Sequence, residues 1–145
     1  QHVDNHTIVD HLKPNCESFE LYKGVMNDNS TGVFNGKVFV RKDSQKINAY
    51  QSNGNVLLSD NATINSKPEL EIYADDVKCS HGSTTGQLDE EAIFYFRTRG
   101  ISKKAAREMM ISAFVGDVMA KITNEEVLAF VQNVLSERFG FDALD

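Results

Sequence analysis

A change of periodicity near residue 86 constrains this chain more than any other feature. Up to that point short apolar runs recur: Val38-Phe39-Val40, Ile47-Asn48-Ala49-Tyr50, Val56-Leu57-Leu58, Ala62-Thr63-Ile64, Leu70-Glu71-Ile72 and Val77-Lys78-Cys79. Residues such as Val40, Ile47, Leu57, Ile64, Ile72 and Cys79 lie seven to ten apart, with polar segments between them: Asp43-Ser44-Gln45, Ser52-Asn53-Gly54-Asn55, Ser59-Asp60-Asn61 and Asn65-Ser66-Lys67-Pro68. Regularly spaced short strands of this kind predict a sandwich, a barrel or a β-solenoid. One-in, one-out alternation, as in Leu70-Glu71-Ile72-Tyr73-Ala74, and the frequency of Asn at the expected corners favour the solenoid. Asn35-Gly36 and Asn53-Gly54 are the competing signal, because Asn-Gly pairs also make hairpin turns. The pattern alone leaves a sandwich open.

Beyond Leu88 the period becomes helical. Asp89 is placed to cap a helix over residues 90–99, with Glu90 and Glu91 in its first turn, Arg97 and Arg99 in its last, and Gly100 just beyond. Ser102 caps a second helix over 103–122, with Ala106, Met109, Met110, Ala113, Phe114 and Val118 on one face. Thr123-Asn124-Glu125-Glu126 reads as a capping box for a third, which aligns Val127, Leu128, Val131, Val134 and Leu135 and ends at Phe139-Gly140-Phe141. The expected organisation is mainly β with a helical C-terminus. Residues 1–86 form coils of a parallel β-helix (β-solenoid), and residues 87–145 a small α-helical subdomain.

Composition removes several function classes. With 145 residues, 41% hydrophobic and 25% charged, the chain has the size and make-up of one globular domain. It has no run of the ~18–20 apolar residues that a membrane helix requires. A formal charge of −6 and no dense basic stripe argue against nucleic acid as a partner. Cys16 and Cys79 are too few for a disulfide framework, which predicts a reducing, cytoplasmic setting. The opening Gln1-His2-Val3-Asp4 has neither a basic leader nor an apolar segment and starts in mid-pattern, so a fragment of a longer chain is expected. Phosphate-loop, dinucleotide-binding and nucleophile-elbow motifs are all absent from the sequence.

Few residues remain for chemistry. In Cys79-Ser80-His81 a strand would turn Cys79 and His81 to one face, where thiolate and imidazole could meet a soft metal ion. Two ligands do not make a site, and the plainer reading has Cys79 in the core and His81 in a turn before Gly82. His2, His6 and His11 read as solvated or corner histidines. Asp75-Asp76 could serve a polysaccharide-cleaving solenoid enzyme, but adjacent strand residues face opposite ways, which favours a solvated turn. Met109 and Met110 read first as core, while Lys103, Lys104 and Arg107 on another face could meet a partner.

Three segments carry a resemblance. Glu69-Leu70-Glu71-Ile72-Tyr73-Ala74-Asp75-Asp76-Val77-Lys78-Cys79-Ser80-His81-Gly82 is similar to the signature region of the SufB/SufD family. Thr85 to Glu91 continuing through Phe94-Tyr95-Phe96-Arg97-Thr98-Arg99-Gly100-Ile101 resembles the same family, as do Tyr22-Lys23-Gly24 and Thr31 to Lys37. Asn53 stands where the SufB branch has a Cys, and Gly82 where it has a Glu, so the likeness is to the SufD branch and implies that this subunit alone does not nucleate a cluster.

The resemblance implies the C-terminal portion of a right-handed parallel β-helix. It further implies a scaffold, not an enzyme, in SUF iron–sulfur cluster assembly. Pairing with SufB, or with itself as a homodimer, would run through the β-helix edge, and the ATPase SufC would bind the C-terminal helices. His81 would be an interface ligand for transient iron or a nascent cluster, with Cys79 the weaker candidate and no tightly bound cofactor. The SufC contact would involve Arg99, Ile101, Lys103, Lys104, Arg107, Met110 and Phe114. A purely structural subunit is the third possibility.

Overall fold

A computed structural model describes residues 1–140. Six strands are followed by three helices, so the molecule is mainly β with a helical C-terminus, as the periodicity predicts. Two compact units divide the chain, Gln1–Gln87 and Leu88–Asp145.

The strands of the first unit are β1 (His2–His11), β2 (Glu17–Met26), β3 (Thr31–Val40), β4 (Ile47–Leu57), β5 (Thr63–Ile72) and β6 (Val77–Gln87). Odd strands form one three-stranded sheet in the order β1-β3-β5, and even strands form the other, β2-β4-β6. Every pairing is parallel, with partners 29 to 32 residues apart, as in His2↔Thr31, Glu17↔Asn48, Thr31↔Thr63 and Ile47↔Val77. The chain thus alternates between two sheets and stacks one coil on the next: a parallel β-helix. Parallel pairing leaves no hairpins, and Asn35-Gly36 and Asn53-Gly54 lie inside β3 and β4.

Strand length departs from expectation. Ile47-Tyr50 and Val56-Leu57 belong to the single strand β4, and Thr63-Ile64 and Leu70-Ile72 to β5. The expected corners Ser52–Asn55 and Asn65–Pro68 are therefore mid-strand, whereas Asp43–Gln45 and Ser59–Asn61 do lie between strands. Corners are secured from coil to coil: Asn15 N donates to Gln45 O at 2.9 Å, and Lys46 N to Asp76 O. Asn15, Asp28 and Lys46 adopt positive φ at these bends. Ser44, fully buried, donates its hydroxyl to His11 O at 2.7 Å.

Two kinds of interior fill the coils. Val38, Val40, Ile47, Ala49 and Ala74 form an apolar core, against which Val9, Cys16, Leu70, Val77 and Cys79 pack. Further along β4 the inward side chains become polar, and Gln51, Asn53 and Asn55 are all buried. They bond one another and the neighbouring coils. Asn55 Nδ2 donates to Asn53 Oδ1 at 2.7 Å, and Ser66 Oγ donates to the same oxygen at 2.8 Å. Outside, the first sheet is laced by charge, with Lys37 on Glu71 at 2.7 Å and Arg41 bidentate on Asp10.

In the second unit α1 spans Glu90–Thr98, α2 Lys103–Met119 and α3 Glu125–Phe139. Asp89 caps α1 through Glu91 N and Ala92 N, and Ser102 caps α2 through Ala105 N. At the end of α1, Gly100 takes φ 85° and donates to Arg97 O, while Ile101 N reaches Phe96 O, the paired bonds of a Schellman turn. Helix α2 stops at Met119, three residues before the expected Ile122. Asn124, not Thr123, caps α3, its side chain accepting from Val127 N. Gly140 closes α3 with φ 72°, and Phe141 lies outside the described residues. On α2 the buried positions are Ala106 and Ile111, with Ala113 exposed; on α3 Leu128, Val131 and Leu135 are half-buried, while Val127 and Val134 are exposed.

Candidate metal-binding and partner-binding sites

Cys79 and His81 both lie in β6, two residues apart and on the face that continues the interior. Register fixes this: Cys79 pairs with buried Ala49, His81 with buried Gln51 and Ser83 with buried Asn53. His81 is thus mid-strand and not a turn residue, and Gly82 continues the strand. It is exposed because β6 is the last strand of its sheet, so no further coil of the described residues covers it. Cys79 is half-buried, and burial pushes its thiol above the ordinary cysteine value, partly offset by a hydrogen bond to the Ala49 backbone. A thiol held protonated is a poor metal ligand until something displaces its proton.

Other candidates separate. His2 and His6 are exposed in β1, a strand and not a corner, and His6 Nε2 lies 2.9 Å from Asp4 Oδ1. His11 is buried, contrary to the solvated reading, with Nε2 2.9 Å from Ser18 Oγ. Asp75 and Asp76 are exposed in the bend before β6, the solvated turn the sequence suggested. Among the described residues no three His, Cys, Asp or Glu side chains converge to hold a metal ion.

Of the residues expected to meet a partner, Lys103, Lys104 and Arg107 are tied within their own unit. Glu90 lies 3.3 Å from Lys103 and 4.0 Å from Arg107, and Lys104 Nζ is 3.6 Å from Glu108 one turn on. Glu90 thereby links the start of α1 to the first turn of α2. Arg99 bonds the Tyr95 hydroxyl, with its guanidinium carbon 4.5 Å from the centre of that ring. Ile101, Met110 and Phe114 are half-buried. Sequence reasoning missed the more prominent apolar surface. Phe94 and Tyr95 on α1 are 66% and 55% exposed, and Phe130 on α3 is 68% exposed. Three consecutive aromatics on a helix, Phe94-Tyr95-Phe96, cannot all face one core, and that signal was available.

Also missed was a polar line inside the coils. Gln51 donates from Nε2 to Glu20 Oε2 at 2.8 Å, and Thr7 donates to Glu20 Oε1 at 3.4 Å. Glu20, Gln51 and His81 are successive register partners across β2, β4 and β6.

A parallel β-helix that presents one histidine on its last coil and continues into a helical unit defines the class: a solenoid in which no three potential metal ligands converge among its described residues. Comparison with known proteins identifies which solenoid. Residues 1–114 match the family described as SUF system FeS cluster assembly, SufBD core domain. The chain is 42% identical over 122 residues to the iron–sulfur cluster assembly protein SufD of Escherichia coli (strain K12), covering 84% of this chain and 29% of that protein. It is 42% identical over 119 residues to the SufBD family protein slr0076 of Synechocystis, covering 82% and 26%. To the chloroplastic protein ABCI7 of Arabidopsis thaliana it is 42% identical over 130 residues, covering 88% and 27%. The chain therefore belongs to the SufBD family of iron–sulfur cluster assembly proteins, and it spans less than a third of the length of these relatives.

Proposed function

We propose that this chain is the solenoid end and helical unit of a SUF scaffold subunit of the SufD kind. It holds no reaction centre of its own but offers a surface on which partners and transient iron meet. Its β-helix edge pairs with SufB or with a second copy, its helices bind the ATPase SufC, and the cytoplasm is its compartment. His81 contributes a ligand to iron or a nascent cluster, and Cys79 a weaker one.

The observation that carries this reading is β6. It ends its sheet, and Ser80 to Gln87 are exposed along it with His81 among them. An edge strand with unpaired N–H and C=O groups is a template for another chain. A cluster or iron centre needs three or four ligands, and one or two from this strand leave the rest to a facing chain. Iron arrives here as cargo, so weak, incomplete ligation suits release. For the helices, the support is the exposed Phe94 and Tyr95 beside the Glu90–Lys103–Arg107 ion pairs, an apolar centre with a charged rim.

Two measurements on the full-length protein test this. The first replaces His81 by Ala and follows cluster assembly with SufB and SufC present. Loss of iron loading with unchanged complex formation supports the site, whereas full loading leaves His81 a purely structural residue. The second captures SufC with Phe94→Ala/Tyr95→Ala and, separately, with Lys103, Lys104 and Arg107 reversed to Glu. Weakened capture by either places the contact on that helix, and undiminished capture by both removes SufC from this surface.

A further inference from the structure

We propose that Gln51 is a positioning residue for His81: its side-chain oxygen accepts an N–H of the His81 ring and fixes the ring's tautomer, so that the other ring nitrogen faces outward as a ligand. This rests on the reading of His81 as the iron or cluster contact, and adds the group that would aim it.

Gln51 has no exposed surface, yet its Oε1 has no hydrogen-bond partner among the described residues. A buried acceptor left unpaired is costly, so its neighbourhood should contain a donor. The amide cannot turn over to escape, because Nε2 is committed to Glu20 Oε2 at 2.8 Å, and Glu20 also accepts from Thr7. Flipping would bring two oxygens together. Space for the amide is made by Gly36, where an added Cβ would lie 2.6 Å from Gln51 Nε2.

The donor is on the next rung. His81 is the register partner of Gln51 on β6, on the same face and about 4.8 Å away across a parallel ladder. Its neighbours on that face are already occupied. Ser83 donates to Ser66 Oγ at 2.7 Å, and Cys79, whose sulfur accepts from the Ala49 backbone, offers only a weak S–H donor. An imidazole that gives one N–H to a fixed oxygen presents its second nitrogen as a lone pair in a defined direction, the arrangement by which outer partners orient metal-binding histidines. Glu20, Gln51 and His81 would then form one line from the interior to the open end.

The test uses the full-length protein with 15N-labelled histidine and ferrous iron as probe, under anaerobic conditions. In the unsubstituted protein the His81 ring should show a single tautomer with an exchange-protected N–H. Gln51→Leu should give mixed tautomers and about 10–100-fold weaker iron binding, while the exchange Glu20→Gln/Gln51→Glu, which keeps an oxygen toward His81 and a donor between positions 20 and 51, should keep the single tautomer. A ring that averages between tautomers in the unsubstituted protein overturns the proposal, as does a Gln51→Leu protein with an unchanged ring. Should Gln51→Leu fail to fold, the spectra of the unsubstituted protein and of the Glu20→Gln/Gln51→Glu exchange decide alone. A fixed tautomer combined with iron binding that survives His81→Ala would instead refute the iron reading and leave the positioning intact.

Discussion

Asn53 is surrounded by the polar side chains it serves. Its Oδ1 accepts from Asn55 Nδ2 at 2.7 Å and from Ser66 Oγ at 2.8 Å, so one carbonyl joins β4 to the facing strand β5. Asn53→Ala removes that acceptor from buried Asn55 Nδ2, which keeps Thr84 O, and from half-buried Ser66 Oγ, which is expected to cost about 1–3 kcal/mol in urea unfolding. Cys79 belongs to the same scale. Burial holds its folded-state value above that of the unfolded chain, so its contribution to stability is full below the unfolded thiol value of about 8.5 and fades as pH rises through the folded one. Alkylation of Cys79 at pH 8, measured in a Cys16→Ser background, should therefore be slower in the native than in the denatured protein.

At the scale of elements, each sheet has a distinct outer face. Strands β1, β3 and β5, with Arg41 just beyond β3, carry three ion pairs of the first unit: Arg41 with Asp10, Lys37 with Glu71 and Lys67 with Glu69. The hydrogen bond from Arg41 holds the Asp10 carboxyl below its ordinary value, and Lys67 does the same, first among several causes, for Glu69. A carboxyl depressed in the folded state stabilises above its unfolded value and loses that contribution as pH falls through the folded one. Acid unfolding should thus steepen below about pH 4, and Asp10→Asn should make the curve shallower there. Because both carboxylates are solvent-accessible, added salt should narrow the difference between the two proteins. The second sheet has a sparer exterior, with Phe19 stacked on Tyr50 at 5.2 Å and only Ser80, Gly82, Thr84 and Gly86 at the outward positions that follow in β6.

At the scale of the whole molecule, this small-residue edge has a consequence for assembly. A Cβ added at Gly82 or Gly86 meets no atom within 4 Å, so the chain's own packing does not require glycine at either position. Gly82→Arg is expected to leave the unfolding free energy within about 0.5 kcal/mol of the parent while weakening the proposed association with SufB or a second copy, read by size-exclusion chromatography with light scattering. Association unaffected by Gly82→Arg and by Gly86→Arg would move the interface away from β6. A solenoid end needs some cover, and a bulky cation on the last strand is a direct way to deny it.

Much of this was legible in one sequence. The switch from a short period to a helical one near residue 86, the caps at Asp89 and Ser102, and the Gly100 stop all follow from local rules and recur in the structure. The family was legible by resemblance and not by local rules: the segment from Glu69 to Gly82 is similar to its signature region, and residues 1–114 match the SufBD core domain. What local rules misread was inside and outside. Gln51-Ser52-Asn53-Gly54-Asn55 is polar throughout and resembles a corner, yet it is the middle of β4, with Gln51, Asn53 and Asn55 pointing inward. The reason is that their partners, Glu20 and Ser83 among them, stand about one coil away in sequence. No window of ten residues contains both halves of such a bond. The same distance hides His81, whose place on an inward rung is set by register with Gln51 and not by the residues beside it. Periodicity determined short strands followed by helices and left a sandwich open; only the parallel stacking decided that the chain coils and which polar groups the coils enclose.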